Sequence, residues 1–371
     1  MRPQVVRRIG SFDDPNQILT RVGQVLIGPE EQIFVSQPQD QTILVFDLFG
    51  TEPTSIGREG EGPGEFEGLH TIGFLNDSLW AFDYSVPRFS FFSLTGELLG
   101  TRPWGTEMFR IDEVVFVPRA PVSVVLLPEE EALIVPGMMI RGQPPESGIR
   151  SEVMRIPFLR VGADLQIQDT IAWTIMEGTT VAESRGGEVL MFSVPFNDAP
   201  LHTLGPNGGG VAVVDRRRAS SDVHPVFGIS VVGPMGDTTF ALSIPYDPIP
   251  ITEDALKGIV SKVRSSPPRD RGGLSEEEIK DALAEHGLVP EYQVPVTKLV
   301  GTGDGMIWVR REEFGQDSVV WNVFDSNGTP TATVLLPADQ EIKAGNGDLL
   351  VTLEHDEFDV PYLVVLRLEL D

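Results

Sequence analysis

One stretch constrains this 371-residue chain more than any other: Gly57–Gly100, GREGEGPGEFEGLHTIGFLNDSLWAFDYSVPRFSFFSLTGELLG. It opens with a polar loop in which Gly60, Gly62, Pro63 and Gly64 forbid a regular element. An apolar run, His70–Leu75, is followed by Asn76-Asp77, a tight-turn signal. Leu79–Phe82 has the aromatic, β-preferring character of a second strand, and Asp83–Pro87 breaks it. Arg88–Leu94 alternates and is rich in Phe. Thr95-Gly96 makes a further turn, and Glu97–Thr101 has the length of a fourth strand.

Four short strands joined by tight turns in about 45 residues is the period of one β-propeller blade. The loop Gly60-Glu61-Gly62-Pro63-Gly64-Glu65-Phe66, the run Leu79-Trp80-Ala81-Phe82-Asp83, then Arg88-Phe89 and Phe92-Ser93-Leu94-Thr95-Gly96, together resemble the NHL-like repeat of bacterial six-bladed propellers. The resemblance is full only here; elsewhere it is carried by blade rhythm, over most of the chain. It implies an all-β, six-bladed propeller with four-stranded blades. Six blades of about 45 residues need about 270, which leaves roughly 100 for ends and insertions. One propeller domain over residues 1–371 is therefore expected, and the 38 glycines and 30 prolines suit its many turns.

Taken in order, Gln4–Ile9 reads as a strand without a local partner, suited to closing the ring as the outer strand of the last blade. Blade 1 is expected over about Gly23–Ile56 and blade 2 is the stretch above. Blade 3 takes Val122–Leu127 and Ala132–Val135 as inner strands and Glu152–Val161 and Leu165–Trp173 as outer ones. Arg110–Val117 either finishes blade 2 or forms an extra hairpin, and Glu188–Ser193 has no assigned place. Blade 4 spans about Leu201–Ile244, blade 5 about Pro295–Leu336, and blade 6 about Glu341–Leu370, one strand short. A two-helix insertion at about 252–287 separates blades 4 and 5. Thr252 caps its first helix, with Leu256, Ile259, Val260 and Val263 on one face; Ser275 and Glu278 form a capping box for the second, which Gly287 ends. Insertions of this kind often cover or line a binding face.

The net charge of −27 argues against a nucleic-acid partner and against docking on anionic lipid, both of which want a basic face. Cysteine is absent, which excludes disulfides and thiolate chemistry. No apolar run is long enough to span a membrane. Met1–Arg8 lacks the apolar centre of a signal peptide. Proteins that this chain resembles are commonly exported or lipid-anchored, which implies a periplasmic, cell-surface or secreted protein whose export signal is missing from this sequence; a cytoplasmic setting is the other option.

One coincidence offers chemistry. Leu69-His70-Thr71-Ile72-Gly73 in blade 2 matches Leu201-His202-Thr203-Leu204-Gly205 in blade 4, and each His precedes an Asp by thirteen residues, Asp83 and Asp215. Each His begins an innermost strand and each Asp ends the antiparallel second strand, so both pairs are expected near the channel mouth. Blade 6 offers Glu341 and Glu354 at corresponding places. His70, His202 and Glu341, about 120° apart on the ring, form a competent ligand set for a divalent ion such as Zn²⁺ or Ca²⁺. Asp83, Asp215 and Glu354 would then be available for acid/base work. Against this, a polar residue opening an inner strand commonly meets channel water, and an Asp ending a strand commonly bonds the next turn. Gln24, Ser123 and Thr297 or Lys298 fall at the same mouth in the intervening blades.

Arg310 and Arg311 are unusual in so acidic a chain, and alternation turns one of them inward. The inward one, Arg310 or Arg311, is either a handle for a carboxylate ligand or a counter-ion for Asp83, Asp215 or Glu354. The cluster His355, Asp356, Glu357 and Asp359 belongs to a solvated turn, and Asn207–Gly210 to a hairpin. There is no GxSxG motif. The expectation is a monomeric, non-catalytic binding or scaffold propeller for a small ligand or protein partner. The alternative is a divalent-metal-dependent hydrolase or lyase, as in lactonases and amidating lyases of this architecture, using Asp83, Asp215, Arg311 and Glu354 beside the metal.

Overall fold

A computed structural model describes residues 2–10, 17–49, 52–105, 107–111, 114–117, 121–140, 148–185, 188–205, 209–218, 224–265, 274–311 and 316–369. Six antiparallel sheets follow one another along the chain as the blades of a propeller. Blade 1 comprises strands Val25–Ile27, Ile33–Gln37, Thr42–Phe46 and Thr54–Ile56; blade 2 comprises Leu69–Leu75, Ser78–Asp83, Arg88–Ser93 and Leu98–Pro103. Blade 4 is Leu201–Leu204, Val211–Asp215, Val226–Val232 and Thr238–Pro245; blade 5 is Lys298–Gly301, Ile307–Arg311, Ser318–Phe324 and Pro330–Pro337.

Blade 6 contributes Glu341–Asn346, Leu349–His355 and Pro361–Glu369, and its fourth strand is Arg2–Ile9 from the other end of the chain. The register runs from Arg2 opposite Glu369 to Ile9 opposite Leu363, with a bulge between Val5 and Arg7. The expected closure is therefore present.

The cores lie between blades. Six buried clusters each join neighbours: Ile9, Val35 and Phe46 with Val351 and Leu363; Phe34 and Ile43 with Phe66 and Leu79; Trp80 and Phe82 with Val124 and Ile134. Phe158 and Ile171 meet Leu204 and Val211; Val214 and Phe227 meet Val296 and Val309; Trp321 and Val334 meet Leu350 and Val364. The circuit 1–2–3–4–5–6–1 is thus closed by apolar burial. Second strands are covered on both faces, which is why Ile33–Gln37 and Ser78–Asp83 read as nearly unbroken apolar runs. Outer strands alternate, as in Thr238–Pro245.

The loop that marks the sequence is held by Arg88. Its guanidinium donates to the carbonyls of Glu61 (2.8 Å), Gly62 (2.6 Å) and Glu65 (2.7 Å). Arg58 pairs with Glu65, and Phe66 is buried against Phe92. Gly60 has φ +147°, and a Cβ there would collide with the Glu65 carboxylate. The motif is structural: it wraps the connection from blade 1 to blade 2 around one arginine.

Blade 3 departs from the expected plan. Its sheet has five strands in the order Ser123–Leu126, Ala132–Val135, Gly148–Val161, Ile167–Arg185 and Glu188–Ser193, so the segment without an assigned place is its outermost strand. The third and fourth strands are much longer than expected and pair from Gly148–Ala182 to Val161–Ile167. The extra hairpin is also real: Phe109–Ile111, Val114–Val117 and Gly137–Ile140 form a small side sheet. Between Met138 and Ser151, the Gly/Pro-rich residues 141–147 lie outside the described residues.

Two helices, α1 (Glu253–Ser265) and α2 (Glu276–Glu285), lie between blades 4 and 5 in sequence, with the capping box at Ser275 and Glu278 as expected. The Thr252 hydroxyl accepts from Ala255 N at 3.2 Å. The Val263 side chain lies outside the described residues. Val260, Ile279, Ala282 and Leu283 share a core with Val181 and Phe192, at the far ends of blade 3's strands. The insertion therefore packs on blade 3, beyond the blade that precedes it in sequence.

Candidate functional site

Inner strands begin, and second strands end, on one face of the ring, so the sequence-predicted site residues all belong to that face. The structure does not gather them into one cluster. Among the described residues no three His, Asp or Glu side chains stand together as metal ligands.

In blade 2 a bulge intervenes. Leu69 pairs with Asp83 and Thr71 with Phe82, which leaves His70 as the extra residue. The bulge turns His70 towards blade 3, where Nε2 donates to the Val122 carbonyl at 3.3 Å and the ring meets Phe82 and Tyr84 edge-on. Asp83 is buried, and its carboxylate accepts from Glu67 N (2.8 Å), Ser85 N (2.8 Å) and Val86 N (3.0 Å). It ties the turn after its strand to the chain entering blade 2.

In blade 4 no bulge occurs, and His202 pairs with Val213. Its ring packs edge-on against Phe158 of blade 3, 5.2 Å between centroids. Burial lowers its pKa, since a charged imidazolium there would lose its water. Asp215 is exposed, 3.8 Å from Arg217 Nε.

In blade 6 Glu341 lies 3.2 Å from Lys298 Nζ on blade 5 and 3.4 Å from Lys343 Nζ. Burial raises its pKa, but the two ammonium groups outweigh burial and the net shift is downward. Glu354 accepts from the Gln340 amide and pairs with Arg8 Nη1 at 3.1 Å.

Most of these side chains join parts of the ring. Gln37, Asp83 and Glu354 each end a second strand and catch the chain entering their own blade; Gln37 accepts from Thr20 N and Oγ1 and from Arg21 N. Gln24 in blade 1 accepts from Thr71 Oγ1 and Ile72 N in blade 2. With His70 to Val122 and Glu341 to Lys298, three of the junctions carry a polar tie between inner strands. The turn at His355–Asp359 is stapled by Asp356, which accepts from Phe358 N and Val360 N.

Arg311 is different. It sits at the end of blade 5's second strand, opposite Val320. Its Nε is buried with no hydrogen-bond partner, and no ion pair reaches its guanidinium among the described residues. The counter-ion role does not apply, because Asp83, Asp215 and Glu354 are engaged elsewhere. Arg310, its neighbour, is buried and donates to the Ala338 carbonyl at 3.2 Å.

Arg311 borders a cavity of about 340 Å³. Blade 5 supplies one wall through Ser318, Val319, Val320 and Leu335. The other wall is the stem of the helical insertion: Tyr246, Asp247 and Ile249 lead into α1, and Gln293, Val294 and Pro295 lead out of α2. The stem is zipped by Ile251 N to the Glu291 carbonyl (3.0 Å) and Gln293 N to the Ile249 carbonyl (2.8 Å). The insertion thus lines a pocket, as its position between blades predicts.

The run Arg216-Arg217-Arg218 was not singled out by the motifs, yet it adjoins this wall. Arg216 donates to the carbonyls of Ala199 (2.8 Å) and Val296 (3.1 Å); Arg218 pairs with Asp198 at 3.4 Å; the Tyr246 hydroxyl donates to the Arg217 carbonyl at 3.3 Å. Burial lowers the pKa of Arg216 and of Arg218. Three consecutive arginines in a chain of charge −27 are the sequence signal that marks this corner.

No family model matches the chain, and no curated protein matches it. Solved structures resemble it over nearly its whole length. A candidate exported protein from Bacteroides fragilis aligns at 13% identity with TM-score 0.47, covering 99% of this chain and 96% of that one. A DUF4221-family member from Bacteroides vulgatus aligns at 8% identity and TM-score 0.47, covering 99% and 97%. Catalytically inactive virginiamycin B lyase from Staphylococcus aureus, with quinupristin, aligns at 11% identity and TM-score 0.42, covering 98% and 99%. The chain's own blade order and register define it as a six-bladed β-propeller.

Proposed function

We propose that this chain is a non-catalytic, ligand-binding propeller whose site is the cavity between the insertion stem and the outer strands of blade 5. The observation that carries the reading is the cavity itself. Its volume, about 340 Å³, falls at the small end of the range that small-molecule sites occupy. Its walls mix apolar side chains with a few polar ones, the composition such sites favour. A zipped stem also presents one wall ready-made, so little ordering is needed on binding. The resemblance of Gly57–Gly100 to the NHL-like repeat, whose proteins are commonly exported, supports a role outside the cytoplasm, which fractionation of the producing cells would test.

The experiment is a thermal-shift screen of small metabolites against the wild-type protein and Ser318→Trp, which fills the cavity. Ligands that raise the melting temperature of the wild type and not of Ser318→Trp support the reading. Ligands that stabilise both proteins equally place binding elsewhere and overturn it.

A further inference from the structure

We infer that the cavity takes a singly charged carboxylate, with the Arg311 guanidinium as its anchor. The inference rests on the cavity being the binding site and adds the chemical class of what enters it.

The first argument is the unfilled demand of Arg311. A guanidinium has five N–H donors in a planar fork that matches a carboxylate. In this chain the other structurally placed arginines of the same face spend theirs on protein: Arg216 on two carbonyls, Arg218 on Asp198, Arg88 on three carbonyls of the blade 1–2 connection. Among the described residues Arg311 has neither; its Nε, like those of Arg88 and Arg218, is buried and unpaired, but its guanidinium makes none of the other contacts that theirs make. Leaving a donor buried and unpaired is unfavourable. A carboxylate supplied by a ligand removes that cost and gains charge-assisted hydrogen bonds.

The second argument sets the charge of the ligand. Acidic residues outnumber basic ones by 55 to 28, so the protein's field repels anions and each added negative charge is penalised. Asp247 stands exposed on the cavity rim. One guanidinium, unpartnered among the described residues, balances one negative charge. Dianions such as phosphate monoesters are therefore disfavoured, and a monocarboxylate is the anion that the local and global charges both admit.

The third argument concerns the rest of the ligand. Val319, Val320, Leu335 and Pro295 offer apolar surface on both walls, and Gln293 and Ser318 offer neutral hydrogen-bonding groups. A compact aliphatic or aromatic acid fits this division.

The test uses matched pairs on the full chain: benzoate with benzamide, phenylacetate with phenylacetamide, and hexanoate with hexanamide, together with methyl phosphate. Affinities are measured by ligand-observed NMR titration for the wild type, Arg311→Gln and Arg311→Lys, with each variant's melting temperature recorded to show that it folds. The expected result is a preference of about tenfold or more for the acid over its amide. Arg311→Gln abolishes the preference, and Arg311→Lys restores only part of it because an ammonium lacks the fork. Equal binding of acid and amide overturns the carboxylate assignment while leaving the cavity as a binding site. So does an acid preference that survives in Arg311→Gln, or tighter binding of methyl phosphate. Failure of every acid and amide to bind at low-millimolar concentration overturns both the assignment and the reading on which it rests.

Discussion

Lys298 Nζ lies 3.2 Å from the Glu341 carboxylate, so the inner strands of blades 5 and 6 are joined along the channel by one ion pair. Both side chains are partly exposed, at 40% and 44%, and the pair is screened accordingly. Glu341→Gln is expected to cost about 0.5–1 kcal/mol at neutral pH. The Glu341 pKa is lowered in the folded protein, so the unfolded chain binds its proton first as pH falls. The cost of Glu341→Gln should therefore be full above the ordinary glutamate range and vanish as pH falls through the folded pKa. Urea denaturation of both proteins at neutral and acidic pH measures this.

His202 gives the second pH dependence. Its folded pKa lies below the ordinary 6.5, through burial against Phe158. Stability from the neutral ring is full above 6.5 and is lost progressively as pH falls from there towards the folded pKa. His202→Leu should flatten the stability profile in that interval. A profile that stays equally steep in His202→Leu would show that another group carries it.

Arg88→Ala removes three hydrogen bonds to backbone carbonyls of the Gly-rich loop. A loss of about 2–4 kcal/mol is expected, since hydrogen bonds from charged groups contribute roughly 1.5–3 kcal/mol each and are not additive. Hydrogen exchange should rise first in residues 58–67. Lysine should rescue little, because an ammonium cannot reach the Glu61, Gly62 and Glu65 carbonyls in the planar arrangement that the guanidinium uses.

Ile9 is fully buried between blades 6 and 1, on the strand that closes the ring. Ile9→Ala should cost about 2–5 kcal/mol, the range for an aliphatic truncation in a packed core. Removing residues 2–9 altogether should convert the single unfolding transition into an earlier one centred on blades 6 and 1. Differential scanning calorimetry distinguishes the two effects.

The blade rhythm was legible because each turn is short and chemically marked, as at Asn76-Asp77 and Thr95-Gly96, and because second strands buried on two faces stay apolar. Closure by the first strand was legible from arithmetic, since blade 6 ends one strand short. Blade 3 was harder to read because its strands overrun the blade period: Ile167–Ala182 pairs with Gly148–Val161 along one edge, and Thr180–Arg185 pairs with Glu188–Ser193 along the other. Nothing in a local window tells how far such a hairpin runs past the blade. The matching spacings of His70–Asp83 and His202–Asp215 concealed different surroundings. A bulge before Thr71 re-aims the first histidine, and such one-residue shifts leave no reliable mark in sequence. Arg311 stood out as a cation in an acidic chain, yet its cavity could not be read, because the facing wall comes from two stems separated by the whole helical insertion.

The strand Arg2–Ile9 is made before the strands of every blade, and its partner Pro361–Glu369 is made after them, for Arg2 pairs with Glu369. At roughly 5–20 residues per second the interval is on the order of tens of seconds. Throughout that wait the strand is an open edge, ready to pair with a neighbouring nascent chain. Arg2, Arg7 and Arg8 give it a run of positive charge that sets copies of the strand against one another. The same arginines are drawn towards the strongly acidic remainder of their own chain: Arg8 ends beside Glu354. The charge placement therefore favours closure within one molecule over exchange between two, and it does so before any blade 6 strand has formed.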